Sequence, residues 1–216
     1  MKTYNPKLPT VIFDLDGTIV DNFHENLEII YNQNKKKIDK LGSFDDFLNF
    51  IKNNNMRDAF VEFRINLFEF LYRRFKSKKE FIASADDSKL FENIGFFFKK
   101  ESNNYNFFIL TSNFEDYLKK ILDKFDLKEH FVETIADKFL FSKTKKINKI
   151  IKKYDINRNN CIYVGDEVRD YLASKKAKIK CISMTYGYNS KKLIKKYNHL
   201  ICNNVEELDK KLKEMF

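Results

Sequence analysis

The run Thr10-Val11-Ile12-Phe13 ends abruptly at Asp14-Leu15-Asp16-Gly17-Thr18. Four consecutive apolar or β-branched positions read as a buried strand. Two carboxylates and a glycine directly behind it mean that the strand stops where charge gathers, and Gly17 permits a tight departure of the chain. The pattern recurs. Asn106-Phe107-Phe108-Ile109-Leu110 reads as a buried strand and runs into Thr111-Ser112-Asn113. Cys161-Ile162-Tyr163-Val164 runs into Gly165-Asp166-Glu167, with Asp170 one helical turn on. Phe131 to Ala136, Lys180 to Met184 and His199 to Cys202 read as further strands.

Helical stripes separate these strands. Leu90, Phe91, Ile94, Phe97 and Phe98 predict one helix, Tyr117 to Phe125 a second, and Ile147, Ile150, Ile151 and Tyr154 a third that Lys143 opens. Another runs through Ala173 to Ala177, and Asn204 with Glu207 marks the start of the last. Strands alternating with helices imply right-handed β-α-β units and a parallel sheet covered on both faces. The stretch from about Asn22 to Ser84 has helical spacing and no strand alternation, so it is expected as a helical insertion after the first strand. The predicted fold class is α/β: a Rossmann-like, three-layer parallel sheet from residues 1–20 and 86–216, with an all-helical domain at 21–85.

Composition narrows what such a chain can be. With 216 residues, 43% hydrophobic content and 23 Phe, it has ample material for a packed core. No apolar run approaches the roughly 18 residues of a membrane span. The first ten residues are followed by no apolar segment of signal-peptide length, which makes a cytoplasmic protein the expectation. Cys161, Cys181 and Cys202 sit singly in strand-like runs, as buried thiols do in a reducing compartment. The net charge of +10 could suit nucleic acid. The lysines are scattered over polar helix faces without an aromatic-interleaved motif, so a solvated surface is the reading adopted and no nucleic-acid partner is expected.

In an open parallel sheet, functional groups collect beyond the carboxyl ends of the strands. Asp14, Asp16, Asp166 and Asp170 crowded there would resist ionising unless a cation offset them. Mg²⁺ suits such a set, taking carboxylates, waters and substrate phosphate. Thr111 and Ser112 offer a hydroxyl and backbone N–H groups near a helix start, which suits a phosphoryl group. Lys143 adds positive charge, with Lys145 and Lys146 close by as alternatives.

In their order and spacing, Asp14-Leu15-Asp16-Gly17-Thr18, Thr111, Lys143 and Gly165-Asp166-Glu167-Val168-Arg169-Asp170 resemble the four motifs of the haloacid-dehalogenase-like hydrolase superfamily. The layout is most similar to phosphoglycolate-phosphatase-like members, and Thr185-Tyr186-Gly187-Tyr188 adds to that similarity. The resemblance implies that the helical insertion is a cap. It implies Asp14 as nucleophile and Mg²⁺ ligand, and Asp16 as general acid/base with its backbone carbonyl on the metal. Thr111 would hold the phosphoryl group with the Ser112 amide, and Lys143 would stabilise charge. Asp166 would be a direct ligand, and Asp170 a ligand through water or a support. Ser112 stands where relatives usually carry Asn, and Ser142-Lys143-Thr144 lacks their frequent Lys-Pro pair.

An alkoxide leaving group needs protonation and a halide does not, so Asp16 favours phosphoryl transfer over dehalogenation. The expectation is a phosphatase acting on a small phosphomonoester (phosphoglycolate-like, a sugar phosphate or a nucleotide) through an aspartyl-phosphate. A phosphomutase is the alternative; a receiver-type phospho-acceptor or a silent nucleic-acid binder is less favoured. Arg57, Arg64, Arg73 and Arg74 in the insertion, and His24 beside its start, are candidates for substrate contact. Each is expected more as a surface residue.

Overall fold

The computed structural model describes residues 1–38, 40, 42–137 and 142–216. In chain order the first half comprises β1 (Thr10–Phe13), β2 (Val20–Asp21), α1 (Phe23–Ile38), α2 (Phe44–Asn53), α3 (Met56–Glu62), α4 (Leu67–Lys76), α5 (Lys78–Ala83), β3 (Lys89–Leu90) and α6 (Ile94–Glu101). There follow β4 (Asn106–Thr111), α7 (Glu115–Lys124), β5 (Phe131–Ala136), α8 (Lys143–Tyr154), β6 (Cys161–Gly165), α9 (Val168–Lys176), β7 (Lys180–Met184), α10 (Lys191–Ile194), β8 (Ile201–Cys202) and α11 (Val205–Met215).

The main sheet has the order β5-β4-β1-β6-β7-β8, and all of its described neighbours are parallel. It is the α/β, Rossmann-like sheet that alternating strands and helices lead one to expect. The central strands β1, β4 and β6 bury both faces. Val11 and Phe13 join a cluster with Phe107, Ile109 and Val164, whereas Ile12 faces the other side with Phe108, Leu110 and Tyr163. That two-sided burial is why the strands read as unbroken apolar runs. Connections leave β1 toward β4 but leave β6 toward β7, so the topological switch point lies between β1 and β6. Crevices for ligands form there, beyond the carboxyl ends of the strands.

Helices α1 to α5 lie between β2 and β3, which pair antiparallel as a short ribbon. Leu27, Ile38, Phe47, Phe63, Ile65 and Phe70 give this block a hydrophobic cluster of its own. Phe81 and Ala85, at its far end, belong instead to the cluster beneath β1. Asp39 and Leu41, within the stretch expected as helical, lie outside the described residues.

One element differs from its sequence reading. The helix expected from Leu90 starts only at Ile94, because Leu90 pairs with Val20 in the ribbon and Asn93 takes a left-handed conformation with φ 63°. Asn tolerates that conformation better than most residues, and it interrupts the stripe. At the other end of the chain, Asn204 accepts from the Glu207 N–H at 2.8 Å. The Glu207 carboxylate turns back to the Asn203 N–H, so the cap is shifted by one residue on one side.

Candidate active site

The pairing of β1 with β6 continues one residue past the strand, through the Asp14 N–H donating to Val164 O at 2.8 Å. Leu15 is fully buried in the core, and its carbonyl closes a tight loop by accepting from Ile19 and Val20. Gly17 supplies the turn with φ 77°. A Cβ there, or on Gly187 in the loop after β7, would collide with the Asp166 carboxylate. Two glycines therefore make the space in which Asp166 stands.

Asp14, Asp166 and Asp170 converge at the switch point, each offering a carboxylate oxygen within 4.8 Å of the others. Lys143, the first residue of α8, donates to Asp14 Oδ2 at 2.6 Å and to Asp170 Oδ1 at 2.5 Å. Its side chain is 4% exposed and its ammonium lies 5.6 Å from the centre of the Tyr163 ring. Lys146 pairs with Asp137 instead, at 3.1 Å. Asp166 accepts from Thr18 Oγ1 and from the Tyr188 N–H, both at 2.7 Å. It does not cap α9. Glu167 is the N-cap residue, and Asp170 accepts from the Glu167 N–H at 3.1 Å.

Burial dominates the electrostatics of this cluster. It pushes the Asp14 carboxyl up to about 7, although Lys143 pulls the other way; the Asp170 charge adds to the rise. Burial raises Asp166 well above the usual carboxylate range, and Glu167, Asp170 and Asp14 add to it. Burial also works against the Lys143 charge, but Asp14 and Asp170 outweigh it and raise its pKa. Lys143 offsets only part of the charge of carboxylates this crowded. The donor set is hard and all-oxygen and fits a divalent cation of the Mg²⁺ type.

Asp16 belongs to a second set of contacts. It accepts from Thr111 Oγ1 at 3.1 Å, from Asn113 Nδ2 at 3.3 Å on both oxygens, and from Asn22 Nδ2. Thr111 is also tied down by the Asn113 N–H at 3.0 Å. Ser112 is buried, and its carbonyl accepts from Arg74 Nη2 at 2.8 Å.

Of the insertion's four arginines, Arg57 and Arg64 are exposed, and Arg73 pairs with Glu69 at 2.8 Å. Arg74 departs from the surface placement expected of it and is buried at 8% exposure. His24 is exposed and packs edge-on against Phe44. Sequence reasoning missed Asn22, Asn113, Arg169 and Tyr188 as members of the site. Asn113 carried a signal, standing directly after Thr111-Ser112. Arg169 and Tyr188 stand inside the quoted stretches 165–170 and 185–188 without a role assigned to them, and Asn22 carried no signal beyond its place shortly after the first motif.

Three carboxylates that could hold a metal ion, a buried lysine and hydroxyl or amide donors meet at the switch point of a doubly wound sheet, a setting suited to phosphoryl chemistry. A family model for haloacid dehalogenase-like hydrolases matches residues 11–184, and the chain belongs to that family. It is similar to phosphoglycolate phosphatase 1 of Pseudomonas aeruginosa, 26% identical over 104 residues, 46% of this chain and 38% of that protein. It is likewise similar to the phosphoglycolate phosphatase of Pseudomonas fluorescens Pf0-1, 29% identical over 84 residues, 38% of this chain and 31% of that one. The matched stretch thus spans about a third of the length of these curated relatives.

Among solved structures, a predicted phosphatase from Clostridium acetobutylicum superposes with a TM-score of 0.77 at 22% identity, over 96% of this chain and 99% of that one. A predicted phosphoglycolate phosphatase from Haemophilus somnus 129PT gives 0.69 at 17%, over 94% and 97%. At these identities the likeness is one of fold. Among the described residues, no helix is long and apolar enough to cross a membrane.

Proposed function

We propose that this chain is a Mg²⁺-dependent phosphatase that hydrolyses a small phosphomonoester through an aspartyl-phosphate on Asp14. The observation that carries the reading is the buried Lys143, bonded to both Asp14 and Asp170, beside an Asp16 that accepts from the Thr111 hydroxyl. Family membership and the phosphoglycolate phosphatases among its relatives support it. The cytoplasmic setting rests on the sequence alone.

Asp14 attacks phosphorus with one carboxylate oxygen while Lys143 balances its charge. The bond to the leaving oxygen breaks, and Asp16 gives that oxygen its proton. Asp16 then takes a proton from water, whose oxygen attacks phosphorus and releases inorganic phosphate, regenerating Asp14. Thr111 and the Ser112 amide hold the phosphoryl group throughout. Asp14, Asp166 and the Asp16 carbonyl would hold the cation, with Asp170 a ligand through water or a support. When bound, Mg²⁺ supplies charge neutralisation and orients the phosphoryl oxygens. Residues 21–85 act as a cap that closes over the core of 1–20 and 86–216 and excludes bulk water.

The test is a panel of phosphomonoesters assayed with Mg²⁺, with EDTA, and with Asp14→Asn. Turnover of the best substrate is expected to fall by about 10⁴-fold or more in the variant and to vanish with EDTA. Equal turnover in either arm sinks the mechanism.

A further inference from the structure

The hydrophobic cluster of the helical block leaves a space beside the strand edge. One cavity of about 100 Å³ is bordered by Asp16 and Asn113 at that edge and by Ile38, Phe47, Phe63 and Phe70 from the block. Voids in a packed core cost stability in proportion to their volume. Water gains little in such a space, because it needs several polar partners and Ile and Phe side chains offer none. A largely apolar cavity with a few polar groups at one side is the usual form of a small-molecule site.

Most polar side chains around it are committed elsewhere. The Tyr188 hydroxyl accepts from Asn26 Nδ2 at 3.0 Å and donates to Asn22 Oδ1 at 3.2 Å. Asn189 Nδ2 donates to the carbonyls of Ile51 at 3.2 Å and Asn54 at 3.4 Å, and its Oδ1 accepts from the Val168 N–H at 2.9 Å. Asn54 Nδ2 donates to Phe50 O at 2.9 Å, and Glu167 is paired with Arg169. Asn26 Oδ1 and Arg74 Nη1 lack a partner among the described residues. Both belong to side chains that reach the strand edge, where Asn26 Nδ2 lies 3.5 Å from Asp16 Oδ1 and Arg74 Nη2 donates to Ser112 O at 2.8 Å. Beside Phe47 and Phe63, a hydroxyl would be buried against apolar rings without a hydrogen bond.

Asp16 gives its proton to the leaving oxygen, so the alcohol portion departs on the side where Asp16 borders the cavity. The space is smaller than the apolar cavity of about 150 Å³ that takes up benzene, and it suits an alkyl group of about four carbons. We propose that the cavity receives the alcohol portion and that this portion is apolar, so that the substrate is a short-chain alkyl phosphate in place of a glycolate, sugar or nucleoside phosphate. Hydrolysis by water yields the alcohol and inorganic phosphate. The inference rests on the phosphatase reading and gives its substrate class.

The test compares butyl phosphate, the isosteric 3-hydroxypropyl phosphate, 2-phosphoglycolate and methyl phosphate on the full chain with Mg²⁺. Butyl phosphate is expected to exceed 3-hydroxypropyl phosphate by about 30-fold in kcat/KM, and to exceed the other two as well. Ala59→Leu, which adds carbons to the cavity wall, should bring butyl and methyl phosphate to nearly equal kcat/KM, mainly by raising KM for butyl phosphate. A fall of both by the same factor overturns the assignment of the cavity. Butan-1-ol titrated into the wild-type chain without Mg²⁺ should shift the Ala59 methyl resonance saturably, and an unmoved resonance overturns the site whatever the variant does. Equal or better kcat/KM for 3-hydroxypropyl phosphate or 2-phosphoglycolate overturns the apolar class and leaves the phosphatase reading standing. No turnover of any of the four overturns both.

Discussion

Along β4, Phe107 and Ile109 face one side of the sheet, Phe108 and Leu110 face the other, and all four are fully buried. Along α4 in the helical block, Phe70 and Arg74 are buried while Phe68, Tyr72 and Phe75 stand in solvent. A strand covered on both faces leaves its polar groups one place to go, which is its end. A helix packed on one face can carry an apolar residue outside or a charged one inside, according to what its neighbours offer. The site is accordingly anchored by the sheet, and the helical block reaches it through Arg74 on the Ser112 carbonyl and Asn22 on Asp16.

The largest effect should come from the cation at the centre of that edge. Lys143→Met leaves Asp14 and Asp170 buried without their shared partner. Breaking a buried pair in this way costs about 3–5 kcal/mol, read as a drop in thermal midpoint in EDTA, and turnover should fall by about 10²–10³-fold. A loss of activity without a loss of stability would mean that the pair is not structurally coupled to the sheet.

Next come two phenylalanines of similar burial on opposite sides of the comparison. Phe107→Ala should cost about 3–5 kcal/mol and unfold the chain as a whole, because Phe107 packs against Phe13, Phe98 and Phe131. Phe47→Ala should cost a similar amount within the helical block, where its partners are Tyr31, Phe44 and Phe63. If the parts are energetically distinct, Phe47→Ala leaves Mg²⁺ binding intact. Loss of Mg²⁺ binding in that variant would break the distinction.

A smaller shift is expected from the metal itself. At 100 times its dissociation constant, Mg²⁺ should stabilise the folded chain by about 2.7 kcal/mol, seen as a rise in the thermal midpoint. Asp166→Asn should abolish the rise, because Asp166 is one of the three converging carboxylates. An unchanged rise would place the cation elsewhere.

The same contrast explains what could be read from the sequence. Thr10–Phe13, Asn106–Thr111 and Cys161–Gly165 announce themselves because two-sided burial demands continuous apolar residues, and the groups just after them stand out for that reason. Lys143 was harder to single out, since Lys145 and Lys146 share its chemistry and only the packing of α8 decides which one points inward. Arg74 could not be separated from Arg73, its neighbour. One pairs with Glu69 and the other lies over the Phe114 ring, a difference of about 100° around a helix. Asn113 and Tyr188 were within view but needed the loop geometry to give them partners.

The smallest test compares two helix caps. Ser43 accepts from the Asp46 N–H at 3.2 Å and Asp46 accepts from the Ser43 N–H at 2.8 Å, a reciprocal capping box at the exposed start of α2. Asn204 caps α11, whose Val205, Leu208 and Leu212 lie in the cluster beneath the sheet. Ser43→Ala and Asn204→Ala should each cost about 1 kcal/mol. Their effects on amide exchange should differ. Ser43→Ala should speed exchange in α1 to α4 and leave the amides of β1, β4 and β6 protected, because local opening of the block need not disturb the sheet. Asn204→Ala should speed exchange of those strand amides together with α11. Faster exchange of the strand amides in Ser43→Ala would show that block and sheet open as one unit, and that the contact of Arg74 with the Ser112 carbonyl is kept by the two folding together.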